Sequence, residues 1–232
     1  MKLIEYLDKS EEFLNKGYEL PKYDRAKMVA ETQKNPTWVH FGAGNIFRAF
    51  PAAFLDDMLN AGETDKGVIV AEGFDYEIID KAYRPFDNLS LLAVLRADGT
   101  IGKRVIGSVA ESLKGDTESS DYERLREIFR NPSLQMVTFT ITEKGYSLNG
   151  PDGKLSAVAS ADLAERGLNP VLIMGKITAL LYERYLAGAY PVAMSSMDNC
   201  SHNGDKLYDA IYTFAKGWVE NGKAKKGFLD YV

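Results

Sequence analysis

Cysteine occurs once in the 232 residues, at Cys200, and histidine twice, at His40 and His202. A single thiol leaves no internal disulfide, so a reducing, cytoplasmic setting is expected. Two histidines cannot make a His-rich ligand set, and no metal is expected. Basic charge is not in excess, with 28 Lys and Arg against 33 Asp and Glu for a net charge of −5. No basic face therefore dominates, which argues against a nucleic-acid partner, and the basic cluster at 223–226 reads as a solvated turn. No run of about 18 uncharged apolar residues occurs, so no membrane-spanning helix is expected. Residues 1–13 are charged throughout and lack the apolar core of a signal peptide. Internal repeats and low-complexity segments are absent too. What remains is ordinary globular composition, 45% hydrophobic and 26% charged. That length holds one large domain, or a domain with a small appendage, without a disulfide or metal staple.

Short β-branched runs alternate with helical patterns along the chain. Helical spacing covers residues 3–14 and, after Pro21, residues 25–32. Residues 37–41 read as a buried strand, 45–60 as its helix stopping near Gly62, and 67–71 as a second strand. A helix over 76–83 is expected to stop before Pro85. Residues 89–96 and 104–109 read as extended runs on either side of an Asp98-Gly99 turn signal. A helix over 121–130 with Asp121 as its N-cap, a strand over 134–141 and a helix over 170–186 opening on Pro170 follow. A strand over 191–194 and a helix over 203–219 complete the pattern. Strands separated by helices imply parallel β-α units. The expected fold class is α/β, a doubly wound, mostly parallel sheet with helices on both faces and ligands beyond the carboxyl ends of the strands.

Three polar clusters directly follow strands. The first, Gly42, Ala43, Gly44, Asn45, Ile46, Phe47 and Arg48, has the form of a phosphate-binding strand-to-helix turn. Gly42 permits the tight turn, Gly44 lets bare backbone approach a pyrophosphate, and the helix from Asn45 aims its N-terminal amides at the anion. The third glycine of the usual spacing is replaced by Phe47. Arg48 either reaches a phosphate or serves as a surface ion-pair partner. Either Glu72 or Asp75, at the end of the second strand, is placed to accept hydrogen bonds from a ribose 2′-hydroxyl, which favours NAD over NADP.

The second cluster runs from Thr140 to Tyr146, and Thr142 and Glu143 would face a central crevice, unless Glu143 and Lys144 form an ordinary exposed pair. The third runs from Ser195 to Gly204. Asn203 is a natural N-cap there, whereas Asp198 and Asn199 have no such structural role, and an amide at Asn199 can hydrogen-bond a developing alkoxide. His202 invites a general-base reading but reads better as a loop-packing residue. His40 reads as a satisfied core histidine, and Cys200 as a small semi-buried residue.

Taken together, residues 41–48, 140–146 and 198–204 resemble the mannitol dehydrogenase family, the long-chain polyol and uronate dehydrogenases that include fructuronate reductase (mannonate oxidoreductase). The resemblance runs over about residues 37–219, and members of that family often lack the third glycine. It implies a Rossmann-type domain over residues 37–232 that binds NAD, with NADP possible, preceded by a helical extension over 1–36. It also implies metal-free hydride transfer to or from a small polyol or sugar acid, of the mannonate/fructuronate or mannitol/fructose type. By motif, Gly42, Gly44 and Arg48 would lie at the pyrophosphate, Glu143 near nicotinamide and substrate, and Asn199 in an oxyanion pocket. The family's general base is a lysine of a helical C-terminal catalytic domain, and Lys144 does not match it. That domain is expected to be absent from this chain, which alone would catalyse little or nothing. An S-adenosylmethionine-dependent methyltransferase and a non-catalytic nucleotide-binding module are the alternatives.

Overall fold

The computed structural model describes residues 2–164 and 169–232. The chain divides into two compact units, Met1–Leu113 and Lys114–Val232.

In the first unit the strands are β1 (Tyr18–Glu19), β2 (Trp38–Phe41), β3 (Val68–Glu72), β4 (Ser90–Leu95), β5 (Ile101–Ile106) and β6 (Val109–Lys114). The strands β2 and β3 pair in parallel, with Val39 opposite Ile69 and Phe41 opposite Ala71, and β6 lies on the far side of β3. All of β2 and the first four residues of β3 are buried, as expected of strands covered on both faces. A second sheet runs β1-β5-β4, its β4–β5 hairpin turning at Gly99 in the left-handed region (φ +83°). Tyr6 and Phe13 from the N-terminal segment pack with Val105 of this sheet and with Leu89, which immediately precedes β4.

The helices of this unit are α1 (Ser10–Asn15), α2 (Arg25–Lys34), α3 (Asn45–Ala49) and α4 (Pro51–Ala61). Two expectations fail here for local reasons. The single helix over 45–60 is broken at Phe50 (φ −120°, ψ −75°), because Pro51 has no N–H and its ring opposes the carbonyl four residues back. The helix over 3–14 is a 3-10 turn at Leu3–Leu7 followed by α1. A third expectation needs extending, since the helical turns after β3 continue past Pro85 to Phe86. Helix α4 ends as expected at Gly62, in the left-handed region (φ +75°). Its buried Asp56 is fully satisfied: it accepts from Tyr23 Oη (2.6 Å), Gly107 N (3.0 Å), Asn60 Nδ2 (3.2 Å) and Arg104 Nη2 (2.8 Å).

The second unit contains β7 (Met136–Phe139) and β8 (Ala193–Ser196), parallel, with Val137 opposite Met194 and Phe139 opposite Ser196. Its helices are α5 (Ser120–Arg130), α6 (Thr142–Tyr146), α7 (Ala157–Ala164), α8 (Ile173–Gly188), α9 (Asn203–Glu220) and α10 (Phe228–Tyr231). Helix α5 is capped by Ser119 rather than Asp121, whose carboxylate instead accepts from Lys114 N at 2.9 Å. Helix α8 starts at Ile173 rather than Pro170, because the Asp162 carboxylate takes the amides of Val171 (3.0 Å) and Leu172 (2.8 Å) first.

Buried Arg184 holds the end of α8 to its surroundings. Its guanidinium donates to five carbonyls, those of Tyr190, Phe129, Asn131, Leu134 and Pro191, at 2.7–3.0 Å. These contacts fix the chain where it leaves α5, enters β7 and approaches β8. The strands and helices thus form the expected mostly parallel α/β arrangement of Rossmann type. Among the described residues no helix is long and apolar enough to cross a membrane.

Candidate functional site

The turn after β2 is built around one glycine and one carboxylate. Gly42 has φ +116°, a region costly for any side chain, and its N–H closes on Ala71 O at 2.9 Å. The Ala43 amide donates to Glu72 Oε2 (2.9 Å), while Glu72 Oε1 accepts from Phe74 N (3.0 Å) and Asp75 N (3.4 Å). Glu72 therefore ties the two β-α turns to each other, and the Ala43 N–H is not left over for a phosphate. Buried Tyr83 completes the brace by donating to Ala43 O at 2.8 Å, and burial pushes its hydroxyl above the usual phenol range.

Ahead of this brace the turn is open. A Cβ on Gly44 would meet no atom within 4 Å, and its φ of −73° is ordinary. Gly44, Asn45 and Ile46 are exposed at the start of α3, where first-turn amides have no intrahelical acceptor. Phe47 faces the other way. It is fully buried and stacked on His40 with ring centroids 4.3 Å apart. The residue in place of the third glycine is thus a core anchor beneath the turn. Burial also holds His40 neutral by lowering its pKa to about 3. Arg48 lies over the Tyr83 ring (5.8 Å) and donates to Asn45 Oδ1. Asp75 is exposed beside Phe74, which is 93% exposed.

The second unit carries the other two clusters, joined by Asp198. Its Oδ2 accepts from Ile141 N (2.9 Å) and Tyr146 Oη (2.6 Å), and its Oδ1 from Thr142 N (3.0 Å). Tyr146 Oη also meets Ser196 Oγ at 2.8 Å. Burial, then the bond to Asp198, raise the Tyr146 pKa, so the phenol stays protonated as a donor. Thr142 sits at φ +64°, a strained conformation for a β-branched residue. The strain is held by Asp198 on one side and by α6 on the other. Asp198 is therefore a structural acceptor, a role that its sequence surroundings did not signal.

Asn203 is not the N-cap of α9. His202 caps it from φ +55°, and the Asn203 amide turns back to Asp198 O (2.9 Å) and Ser196 O (3.3 Å). His202 itself is exposed, and its ring bonds only Asp205, at 3.1 Å, among the described residues. Asn199 is exposed with no hydrogen bond from its amide among the described residues, so that amide is available to a ligand. Glu143 pairs with Lys206, not with its neighbour Lys144, and this bond raises the Lys206 pKa. Both line a groove of about 520 Å³ together with Tyr146 and Asp209. Among the described residues no three His, Cys, Asp or Glu side chains stand together as a metal site.

A family model described as the mannitol dehydrogenase Rossmann domain matches residues 36–230. The chain belongs to the mannitol dehydrogenase family. It is 47% identical over 216 residues to D-mannonate oxidoreductase of Thermotoga maritima, covering 93% of this chain and 40% of that protein. It is 28% identical over 212 residues to polyol:NADP oxidoreductase of Gluconobacter oxydans, covering 85% of this chain and 42% of that one. The structure of Pseudomonas fluorescens mannitol 2-dehydrogenase, a ternary complex with NAD and D-mannitol, superposes with a TM-score of 0.74. It is 26% identical, over 95% of this chain and 43% of that one. The chain thus spans about two fifths of the length of these mannitol dehydrogenase family relatives.

Proposed function

We propose that residues 37–232 form the nucleotide-binding domain of a cytoplasmic polyol or sugar-acid dehydrogenase, with residues 1–36 as an extension. The observation that carries this reading is the open turn at Gly44, which follows the tight turn at Gly42 and leads into the first turn of α3. A pyrophosphate would fit there, because a Cβ at Gly44 would meet no protein atom within 4 Å at the start of a helix. Gly44, Asn45 and Ile46 would supply bare backbone, Arg48 a positive charge, and Phe47 the support beneath. The carboxylate for the ribose is Asp75, since Glu72 is already engaged by three amides. Exposed Phe74 offers an aromatic face beside it. With a carboxylate and no basic residue among 72–75, the preferred cofactor is NAD rather than NADP.

The nicotinamide ring, when bound, supplies or accepts the hydride. This chain's own contribution to the chemistry is polar positioning. The free Asn199 amide would polarise the substrate oxygen, and Asp198 would keep Thr142 and Glu143 in the conformation that faces it. On the family resemblance, the base that takes the alcohol proton would be a lysine of the helical catalytic domain. The 47% identity to D-mannonate oxidoreductase favours a mannonate/fructuronate type of substrate over mannitol. The test is a nicotinamide-absorbance assay on the protein carrying the full length of its relatives. Fructuronate with NADH should be turned over faster than fructose with NADH or fructuronate with NADPH. Turnover of neither substrate with either cofactor would contradict the reading.

A further inference from the structure

Helix α9 starts against local preference. Its cap residue, His202, sits in the left-handed region (φ +55°) and gives no side-chain hydrogen bond to the first turn. A Ser, Thr, Asp or Asn in that place would stabilise the helix by about 1 kcal/mol, and a left-handed residue with a side chain costs a similar amount. The asparagine suited to capping stands one residue further on and turns back along the chain instead. Its Nδ2 donates to Ser196 O (3.3 Å) and Asp198 O (2.9 Å), while its Oδ1 accepts from Gly204 N (2.7 Å). Both ends of the Asn203 amide are thus engaged, and the donor end holds the loop between β8 and α9. Local strain of this kind collects where a loop must be held in one conformation.

What it holds is the turn around Asn199. Cys200 N donates to Asp198 O at 3.0 Å, which makes Asn199 the central residue of a tight three-residue turn. Asp198 is anchored through each of its polar groups. Its carboxylate takes Ile141 N, Thr142 N and Tyr146 Oη, its N–H reaches Ser196 Oγ (3.4 Å), and its carbonyl takes Cys200 N and Asn203 Nδ2. Asn203 thereby ties the carbonyl side of the turn to α9, as Tyr146 ties the carboxylate side to α6. The Asn199 amide, exposed and unbonded among the described residues, stands at the apex. A donor to a developing oxyanion acts only within about 2.7–3.1 Å of it, so the backbone that carries the donor must not drift. We infer that Asn203 is a positioning residue for hydride transfer, holding the Asn199 amide where the substrate oxygen meets it. This rests on the reading of the chain as part of a dehydrogenase with Asn199 at that oxygen.

The test is a double-mutant cycle in the protein carrying the full length of its relatives, assayed with fructuronate and NADH. Asn203→Asp keeps the size of the side chain and the acceptor for Gly204 N but removes the donor. A carboxylate also suits the first turn of a helix, so a role confined to starting α9 predicts wild-type turnover. Positioning predicts a kcat about tenfold lower with the KM for NADH unchanged, a fraction of the roughly 10²–10³ lost when an oxyanion donor is removed outright. In an Asn199→Ala background the same substitution should lower kcat no further, because the two residues act as one unit. Asn203→Ala, which removes the donor without adding a charge, repeats the cycle if Asn203→Asp fails to fold. Wild-type kcat in these variants, a raised KM for NADH with kcat intact, or a loss just as large in the Asn199→Ala background would overturn the inference alone. A wild-type protein that turns over neither fructuronate nor fructose would instead overturn the dehydrogenase reading, and the positioning role with it.

Discussion

Replacing Glu72 by alanine removes the acceptor for three backbone amides at once. The Ala43 amide is part-buried and bonded at 2.9 Å, while those of Phe74 and Asp75 are exposed to solvent. A hydrogen bond to a charged acceptor contributes about 1.5–3 kcal/mol, and the exposed amides can turn to water at little cost. The expected loss is therefore about 2–3 kcal/mol, nearly all of it at Ala43. For a chain of this size that is roughly 5–10 °C in Tm. Urea unfolding followed by circular dichroism measures it directly. Glu72→Gln should fall between, because the amide keeps one acceptor but sets an NH2 group against a backbone N–H. Asp75→Asn is the contrasting case. Its side chain is exposed, so stability should stay within about 0.5 kcal/mol while the NADH over NADPH preference shrinks. A Glu72→Ala chain as stable as wild type, or an Asp75→Asn chain with unchanged preference, would refute the division of labour between the two carboxylates.

Three further outcomes follow from the core of each unit. Arg184→Lys leaves at most three donors for five carbonyls and should destabilise by roughly 3 kcal/mol or more, read as a fall in Tm. His40 is held neutral, its pKa lowered from 6.5 to about 3 in the folded chain. Its contribution is complete above pH 6.5 and is lost as pH falls toward 3, at roughly 1.4 kcal/mol per pH unit, or about 2 kcal/mol by pH 5. Urea midpoints at pH 7 and pH 5 should separate less in His40→Gln than in wild type, and equal separation would contradict the assignment. Asp198→Ala removes the acceptor of the Ile141 and Thr142 amides and leaves the Tyr146 hydroxyl only its Ser196 partner, so a loss of roughly 2–3 kcal/mol is expected by the same unfolding assay.

The parts of the fold legible in the sequence are those set by local physics. The apolar run 37–41 ending in Gly42 could hardly be other than a buried strand entering a tight turn, and the Asp98-Gly99 signal marked the β4–β5 turn, although the run expected over 104–109 is the end of β5 and the start of β6. Pro51 was equally visible as a helix breaker, yet the apolar spacing on both of its sides masked the break. The errors at helix starts share another cause. Asp121, Asn203 and Pro170 each look like an N-terminal residue, but a more distant partner claims each site or its neighbours: Lys114 N, the carbonyls of Ser196 and Asp198, and the Asp162 carboxylate. Within the candidate site, Gly42 and Gly44 announced themselves by type and spacing. The engagement of Glu72 did not, because its Ala43 partner is 29 residues away. The Asp198 clamp on Thr142 spans 56 residues and depends on the parallel register of β7 and β8.

The central claim is that the turn at Gly42–Gly44 holds a nicotinamide dinucleotide, and Gly44→Asp tests it most directly. The backbone at Gly44 accepts any residue and the space ahead of it is empty, so the variant should fold with an unchanged Tm. Its carboxylate would occupy and repel the position of the pyrophosphate. Calorimetric titration with NADH, NADPH and S-adenosylmethionine in parallel should show NADH binding tightest to the wild-type chain and lost in Gly44→Asp. NADH binding that survives in the variant, or S-adenosylmethionine binding in preference to both nicotinamide dinucleotides, would contradict the account.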